Sequence, residues 1–293
     1  MPKQTYVKQE EIKQVIQLAS GKQLSLSRPL VMAVLNFTPD SFSDGGQYNS
    51  IKNAVEKVLQ MESEGADIID IGGESSRPGA DSVSEKEEIS RVIPLISELR
   101  KLTNIPISID TYKSHVAKKA IDAGADIIND ISAFRFSPVM AGIVSETNVP
   151  IILMHMLGTP QNMQNNPSYI SVNDEIISFF TERIDYAVSN GVDKSKLILD
   201  PGIGFGKRLS DNLEIIAYLE KYKQFNLPIL IGTSRKSFIG MIHPSEKNAD
   251  SRIGGSIASA VAAVANGANI VRVHDVYETV EALKVLQAVM EYK

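Results

Sequence analysis

Ile105-Pro106-Ile107-Ser108-Ile109-Asp110, the polar stretch 113–122, the corner Ala123-Gly124-Ala125-Asp126 and then Ile127-Ile128-Asn129 carry the architectural signal of this chain in one short span. An apolar run too short for a helix stops at a polar residue. An amphipathic helix follows, a glycine turns the chain, and a second apolar run stops at another polar residue. The unit repeats outward in both directions. Val31-Met32-Ala33-Val34-Leu35 stops at Asn36, and Ile68-Ile69-Asp70-Ile71 at Gly72-Gly73-Glu74. Ile151-Ile152-Leu153-Met154 stops at His155, Leu197-Ile198-Leu199 at Asp200, Ile229-Leu230-Ile231 at Gly232, and Ile270-Val271 at Arg272. Helices are predicted over 51–64, 85–101, 113–122, 137–147, 172–190, 210–222, 252–266 and 277–290. Strand alternating with helix eight times predicts an α/β fold, a (β/α)8 TIM barrel whose strands all end on one face. Residues at eight strand ends then share one site.

Three helix-to-strand corners read alike: Gly65-Ala66-Asp67-Ile68, Gly124-Ala125-Asp126-Ile127 and Gly267-Ala268-Asn269-Ile270. Glycine supplies the left-handed turn after a helix, so this quasi-repeat is structural. No Pro-, Gly- or Ser-rich linker divides the chain. Residues 30–293 are expected to form a single barrel domain, and 1–29 an N-terminal extension packing on the barrel floor. Within the extension, Glu10 to Leu18 is expected to be a short helix and Gln23 to Leu26 a strand.

At 293 residues and 43% hydrophobic, the chain can bury a large core. A net charge of −5 argues against a general nucleic-acid or anionic-membrane binder, because those need a basic face. Any affinity for anions must reside in a local pocket. There is no cysteine, which excludes disulfides, thiolate metal sites and a cysteine nucleophile. Met1 to Ser20 is polar and charged, unlike a secretory signal, and no apolar stretch reaches membrane length. The expectation is a soluble cytoplasmic protein.

Chemistry is expected in the loops after the strands. The first, Asn36 to Gly46, and the second, Gly72 to Ala80, read either as polar turns or as a lid over the barrel mouth. In the second, Arg77 can reach an anion. Asp110 and Asp200 stop apolar strands with Asn129 between them in sequence. Each aspartate either caps the following segment or accepts from the N–H groups of a flat heterocycle, while an asparagine offers both donor and acceptor. Gly232-Thr233-Ser234-Arg235-Lys236-Ser237 leads into a helix and suits a carboxylate or phosphate. Lys236 in a polar loop fits anion binding better than a Schiff base, which favours an apolar pocket. Strand periodicity sets Arg272 and His274 on one face, two cationic or donor groups suited to a diphosphate.

Five motifs in order, Asn36 to Gly46, Gly72 to Gly79, Asp200 to Lys207, Ser234 to Ser237 and Arg272 to Val276, resemble those of the dihydropteroate synthase family. The resemblance runs from about Leu30 to the C-terminus. It implies condensation of 6-hydroxymethyl-7,8-dihydropterin diphosphate with 4-aminobenzoate to give 7,8-dihydropteroate and diphosphate, in a homodimer. By the resemblance, Asp110, Asn129, Asp200 and Lys236 hold the pterin, and Met154, Phe205 and Gly232 line its pocket. Asn36 is implied as ligand of the Mg2+ that accompanies the diphosphate, and Arg272 and His274 as diphosphate anchors. Asp44 and Arg77 match the loop residues that close over the reacting centre. Ser76, Pro78 and Ser237 match the aminobenzoate site, with Ser76 standing where the family has threonine. Asp44, Arg77, Asp110 and Lys236 are thus the expected catalytic groups.

Two other readings compete. A methyltetrahydrofolate-dependent corrinoid methyltransferase has a similar pterin-binding barrel but no use for a diphosphate anchor such as Arg272 with His274. A catalytically silent pterin-binding module needs neither Asp44 nor Arg77.

Overall fold

A computed structural model describes residues 15–38, 46–75, 82–244 and 248–292. Eight parallel strands form the barrel: β3 (Leu30–Asn36), β4 (Ile68–Gly72), β5 (Ile107–Asp110), β6 (Ile127–Asp130), β7 (Ile151–Met154), β8 (Leu197–Asp200), β9 (Leu230–Ile231) and β10 (Ile270–Val273). Their order around the sheet is β8-β7-β6-β5-β4-β3-β10-β9. A parallel bridge between Leu199 and Ile229 closes the ring, with the Leu199 N–H donating to the Pro228 carbonyl at 2.9 Å. Helices α1 (Gly46–Ser63), α2 (Glu85–Leu102), α3 (Ser114–Asp122), α4 (Val139–Thr147), α5 (Val172–Ser189), α6 (Leu209–Ala217), α7 (Ser237–Ile242), α8 (Ile253–Ala265) and α9 (Val276–Met290) connect the strands and cover the barrel. The alternation read from the sequence is therefore present. The short α7, following the Lys236 loop, adds to it.

Strand pleat sorts the side chains. Residues pointing outward, such as Ile69, Ile71, Ile109, Ile128, Leu153 and Val271, join the helices in the larger core. Residues pointing inward at the lower end form a separate buried cluster: Leu30, Met32, Ile68, Ile127, Ile152, Ile198, Leu230 and Ile270. Ile16 and Leu18 complete it. They belong to an antiparallel hairpin of β1 (Val15–Gln17) and β2 (Gln23–Ser25). The helix expected from Glu10 to Leu18 is thus a strand over Val15–Gln17, since β-branched Val15 and Ile16 pair with β2 and seat Ile16 on the apolar floor. Residues 10–14 of that expected helix lie outside the described residues, and Leu18 follows the strand.

The corner quasi-repeat has a second use beyond its glycine. Its polar residue reaches back to the strand before it: Asp67 accepts the Val31 N–H at 2.9 Å, Asp126 that of Ile107 at 3.0 Å, and Asn269 that of Ile229 at 2.9 Å. Each strand entry thereby gains a partner for a backbone donor, and neighbouring strands are pinned in register.

Candidate active site

One step of pleat above the apolar floor, the barrel interior turns polar. Two residues beyond Ile68, Ile127, Ile152, Ile198, Leu230 and Ile270 come Asp70, Asn129, Met154, Asp200, Gly232 and Arg272, on the same strand faces. Sheet register adds Asn36 opposite Gly72, Gly72 opposite Asp110, and Asp110 opposite Asn129. Residues far apart in sequence thus form a continuous ring around the mouth.

One side of that ring is an ionic network. Arg272 donates from Nε to Asp70 Oδ2 at 2.6 Å and from Nη2 to Asp110 Oδ2 at 2.9 Å. Asn129 Nδ2 donates to the same Asp70 oxygen at 3.1 Å. Burial raises the Asp110 pKa to about 7; the charge of Asp70 adds to the rise, and Arg272 opposes it. Across the mouth, Asp200 accepts the Gly202 N–H at 2.7 Å, and burial lifts its pKa to about 6 against that hydrogen bond and the charge of Lys236. Met154, beside Asp200 in the sheet register, packs with Ile131, Met156, Met163 and Phe205. The Lys236 ammonium lies 4.1 Å from the centroid of the Phe205 ring. The mouth thus offers two acceptors close to neutrality, an amide, two cations and an apolar wall.

His274 sits near Arg272, but as a neutral ring. Burial and the charges of Arg272 and Arg235 depress its pKa to about 3. Its Nδ1 lies 3.0 Å from Ser234 Oγ, which also accepts the His274 backbone N–H at 3.2 Å. His274 is therefore a hydrogen-bonding group, and cationic charge on that side comes from Arg272. Arg235 turns away from the mouth with φ +60°, paired to Asp275 at 2.6 Å and to Asp250. Its neighbour Lys236 is left facing Phe205. Ser237 opens α7 and is exposed. Gly232 leaves the mouth open, since a β-carbon there would come only as near as 3.8 Å to Arg272 Cβ. Asp44, Ser76, Arg77 and Pro78 lie outside the described residues.

Asp70 and Lys207 had no role assigned from the sequence, and His155, expected at the shared site as a strand end, lies elsewhere. Asp70, hidden inside an apolar run, is fully buried at the centre of the ionic network. His155, one residue past the inward-facing Met154, is buried against Phe179 at 4.8 Å between ring centroids and takes no part in the mouth. Its Nδ1 is instead 3.0 Å from the buried ammonium of Lys207, which also donates to the Phe205 carbonyl at 3.1 Å. This contact joins the loop after β7 to the loop after β8. The two are so close that a β-carbon on Gly202, at φ +71°, would lie 2.0 Å from the His155 carbonyl oxygen. Glycine is obligatory there.

Burial lowers the Lys207 pKa to about 7, against the ordinary 10.5. Between those values the unfolded chain holds a proton that the native state does not, so this residue's contribution makes stability rise with pH. In urea unfolding at pH 7, 8 and 9, the stability difference between wild type and Lys207→Met is expected to shift toward the wild type. The slope is up to about 1.4 kcal/mol per pH unit. A difference that does not change with pH would place the native Lys207 proton at its ordinary affinity.

A sequence model of the pterin-binding enzyme family matches residues 32–274. The dihydropteroate synthase of Escherichia coli K12 is 48% identical over 94% of this chain and 96% of its own length. That of Synechocystis is 47% identical over 89% and 90%. Among solved structures, Yersinia pestis dihydropteroate synthase with a sulfonamide drug complex superposes with a TM-score of 0.87 at 45% identity, covering 92% of this chain and 98% of that one. The Xanthomonas albilineans enzyme with 4-aminobenzoic acid gives 0.88 at 43%, covering 94% and 98%. With matches this extensive in sequence and fold, the chain belongs to the dihydropteroate synthases, within the pterin-binding enzymes.

Proposed function

We propose that this protein joins the methylene of 6-hydroxymethyl-7,8-dihydropterin diphosphate to the amine of 4-aminobenzoate, releasing diphosphate and giving 7,8-dihydropteroate. The observation that carries the reading is the pairing of two buried, near-neutral carboxylates with Asn129 in one mouth, ringed by Arg272 and Lys236. A pterin edge supplies N–H donors that make such carboxylates favourable in their ionised form. The same ligand's diphosphate needs cationic groups close by. A solved structure of the X. albilineans enzyme, at 41% identity, is a complex with 7,8-dihydropteroate, which supports this assignment.

In this reading Asp110, Asn129, Asp200 and Lys236 hold the pterin between Met154, Phe205 and Gly232. Arg272 and neutral His274 receive the diphosphate. The bond between the pterin methylene and the diphosphate oxygen breaks with its electron pair leaving on diphosphate. Positive charge then spreads from the methylene into the ring, where ionised Asp110 opposes it. The arylamine nitrogen attacks the methylene and sheds a proton. Asp44 and Arg77 are assigned to closure of the loops, and Ser76, Pro78 and Ser237 to the aminobenzoate. For Mg2+ the candidate ligand is Asn36, whose amide oxygen is a hard donor and which stands opposite Gly72 at the strand ends. Bound with the diphosphate, the ion would neutralise leaving-group charge. The Ser234-Arg235-Lys236-Ser237 segment together with Arg272 and His274 argues against the corrinoid methyltransferase reading. Diphosphate release on mixing the two substrates with Mg2+ tests the function, and absence of release would refute both the reaction and its leaving-group assignment.

Asp200 gives the reading a pH signature. Only the ionised carboxylate accepts from two N–H groups, so affinity for 6-hydroxymethylpterin is expected to fall about tenfold per pH unit below about 6. Asp110 adds a step near 7. Asp200→Asn should lose the lower step, keep the upper one and weaken binding at pH 8 by roughly 1.5–3 kcal/mol. Calorimetry at pH 5 to 8 checks this, and an unchanged lower step would remove Asp200 from the pterin site.

We also infer a homodimer and a cytoplasmic location. The dimer is supported by apolar side chains left exposed on α9, where Tyr277, Val285 and Val289 are each more than half exposed, and at the end of α7 by Met241 and Ile242. Val285→Lys should shift the sedimentation of the protein toward the monomer; unchanged sedimentation would exclude that face. The location is supported by the acidic charge balance and by the absence, among the described residues, of a helix long and apolar enough to cross a membrane. Cell fractionation tests it.

A further inference from the structure

Asp70 has no part in the chemistry above, yet it is fully buried in the middle of β4, one pleat below Gly72, and its neighbours are Asn129 and Arg272. We infer that Asp70 is the positioning residue for substrate recognition, fixing the Asn129 amide and the Arg272 guanidinium from beneath through one shared carboxylate oxygen.

The argument starts from donor and acceptor chemistry. A carboxylate only accepts, so the end of the Asn129 side chain that faces Asp70 is its NH2 group, at 3.1 Å. The amide oxygen is thereby held at the other end. An asparagine without such a partner can present either end to a ligand, and half of its orientations would oppose a donor to a donor. Asp70 removes that ambiguity for a heterocycle that needs an acceptor there. The same oxygen takes Nε of Arg272 at 2.6 Å while Nη2 goes to Asp110 at 2.9 Å, so two carboxylates on adjacent strands fix the plane of the guanidinium. Asp70 Oδ1 has no hydrogen-bond partner among the described residues, so its hydrogen bonding runs through Oδ2. An ion pair kept solely for stability is weakly warranted in such a place, because buried pairs are often replaceable by apolar side chains at little or no cost.

A second consequence concerns Asp110. The charged groups that act on it are Asp70, Arg272, Glu88 and Lys236. Removing the Asp70 charge leaves Arg272 wholly to Asp110 and favours the ionised form of Asp110.

The inference rests on the proposed roles of Asn129 and Arg272 in holding the pterin diphosphate, and the test separates the two. Asp70→Leu removes the acceptor at similar volume. Asp70→Asn removes the charge but keeps an oxygen for both donors. For Asp70→Leu we expect the KM for the pterin diphosphate to rise at least tenfold and that for 4-aminobenzoate to change less than threefold. Asp70→Asn should raise the pterin KM by less than the leucine variant does. In both variants the upper step of 6-hydroxymethylpterin binding, near pH 7 in the wild type, should move to lower pH by calorimetry. Equal KM changes for both substrates in Asp70→Leu, or pterin binding as tight as wild type, would overturn the inference. Should the leucine variant not fold, an unmoved upper step in Asp70→Asn would overturn it alone. If the wild-type protein itself neither binds the pterin nor releases diphosphate, the underlying assignment fails, and the variants are not at issue.

Discussion

The interior of this barrel depends on one guanidinium. Arg272 is the cation to which Asp70, fully buried, and Asp110, with its side chain 11% exposed, are both paired. Without it two carboxylates would face each other from adjacent strands, each costing several kcal/mol to desolvate. With it they form a charged layer above an apolar floor. Position along the pleat determines which layer a residue joins: Ile270 closes the floor and Arg272, two residues on, carries the charge. The boundary between scaffold and site is therefore a single step of pleat, repeated around the ring.

Above that layer the loops meet by contact between backbones. The loop after β8 turns at Gly202 against the His155 carbonyl, and Lys207 binds the two segments from a buried position, using a ring nitrogen and carbonyl oxygens as its acceptors. An ammonium held by neutral partners is weakly compensated, which is why its proton is loosely bound. The arrangement fixes Phe205, whose ring lies under the Lys236 ammonium, with the same short segment that supplies Asp200. The apolar wall, cation and acceptor on this side of the mouth are thus set by one loop geometry.

Most of the fold and much of the mouth were legible in the sequence, because each strand is short and ends where apolar residues give way to polar ones. Asp110, Asn129, Asp200, Gly232 and Arg272 are strand ends and were found as such. Asp70 was not, because Ile68-Ile69-Asp70-Ile71 reads as an apolar run with one interruption. The signal that finds it is parity: Asp70 shares the face of Gly72 and Ile68, and an acid on an interior face needs a cation there. Parity also separates Met154, which points in, from His155, which does not. Lys207 lay beyond such reasoning. Its burial follows from the meeting of two loops distant in sequence, and a lysine after Gly206 otherwise reads as a solvated turn.

His274 shows how environment changes a role that residue type suggests. Beside Arg272 it reads as a second cation for a diphosphate. The field of Arg272 and Arg235, together with burial, makes the protonated ring unfavourable, so the imidazole serves as a neutral hydrogen-bonding group. With Arg272 shared between two carboxylates and the charge of Lys236 set against that of Asp200, the mouth has little net positive charge to offer a diphosphate. In the proposed reaction, Asn36 would hold a Mg2+ that could supply positive charge to the leaving group, while the protein's own cation stays paired to the carboxylates that position it. Holding the cation this way joins Arg272 to the network that also holds Asn129, so in the proposed reaction diphosphate recognition and pterin orientation would share one set of contacts.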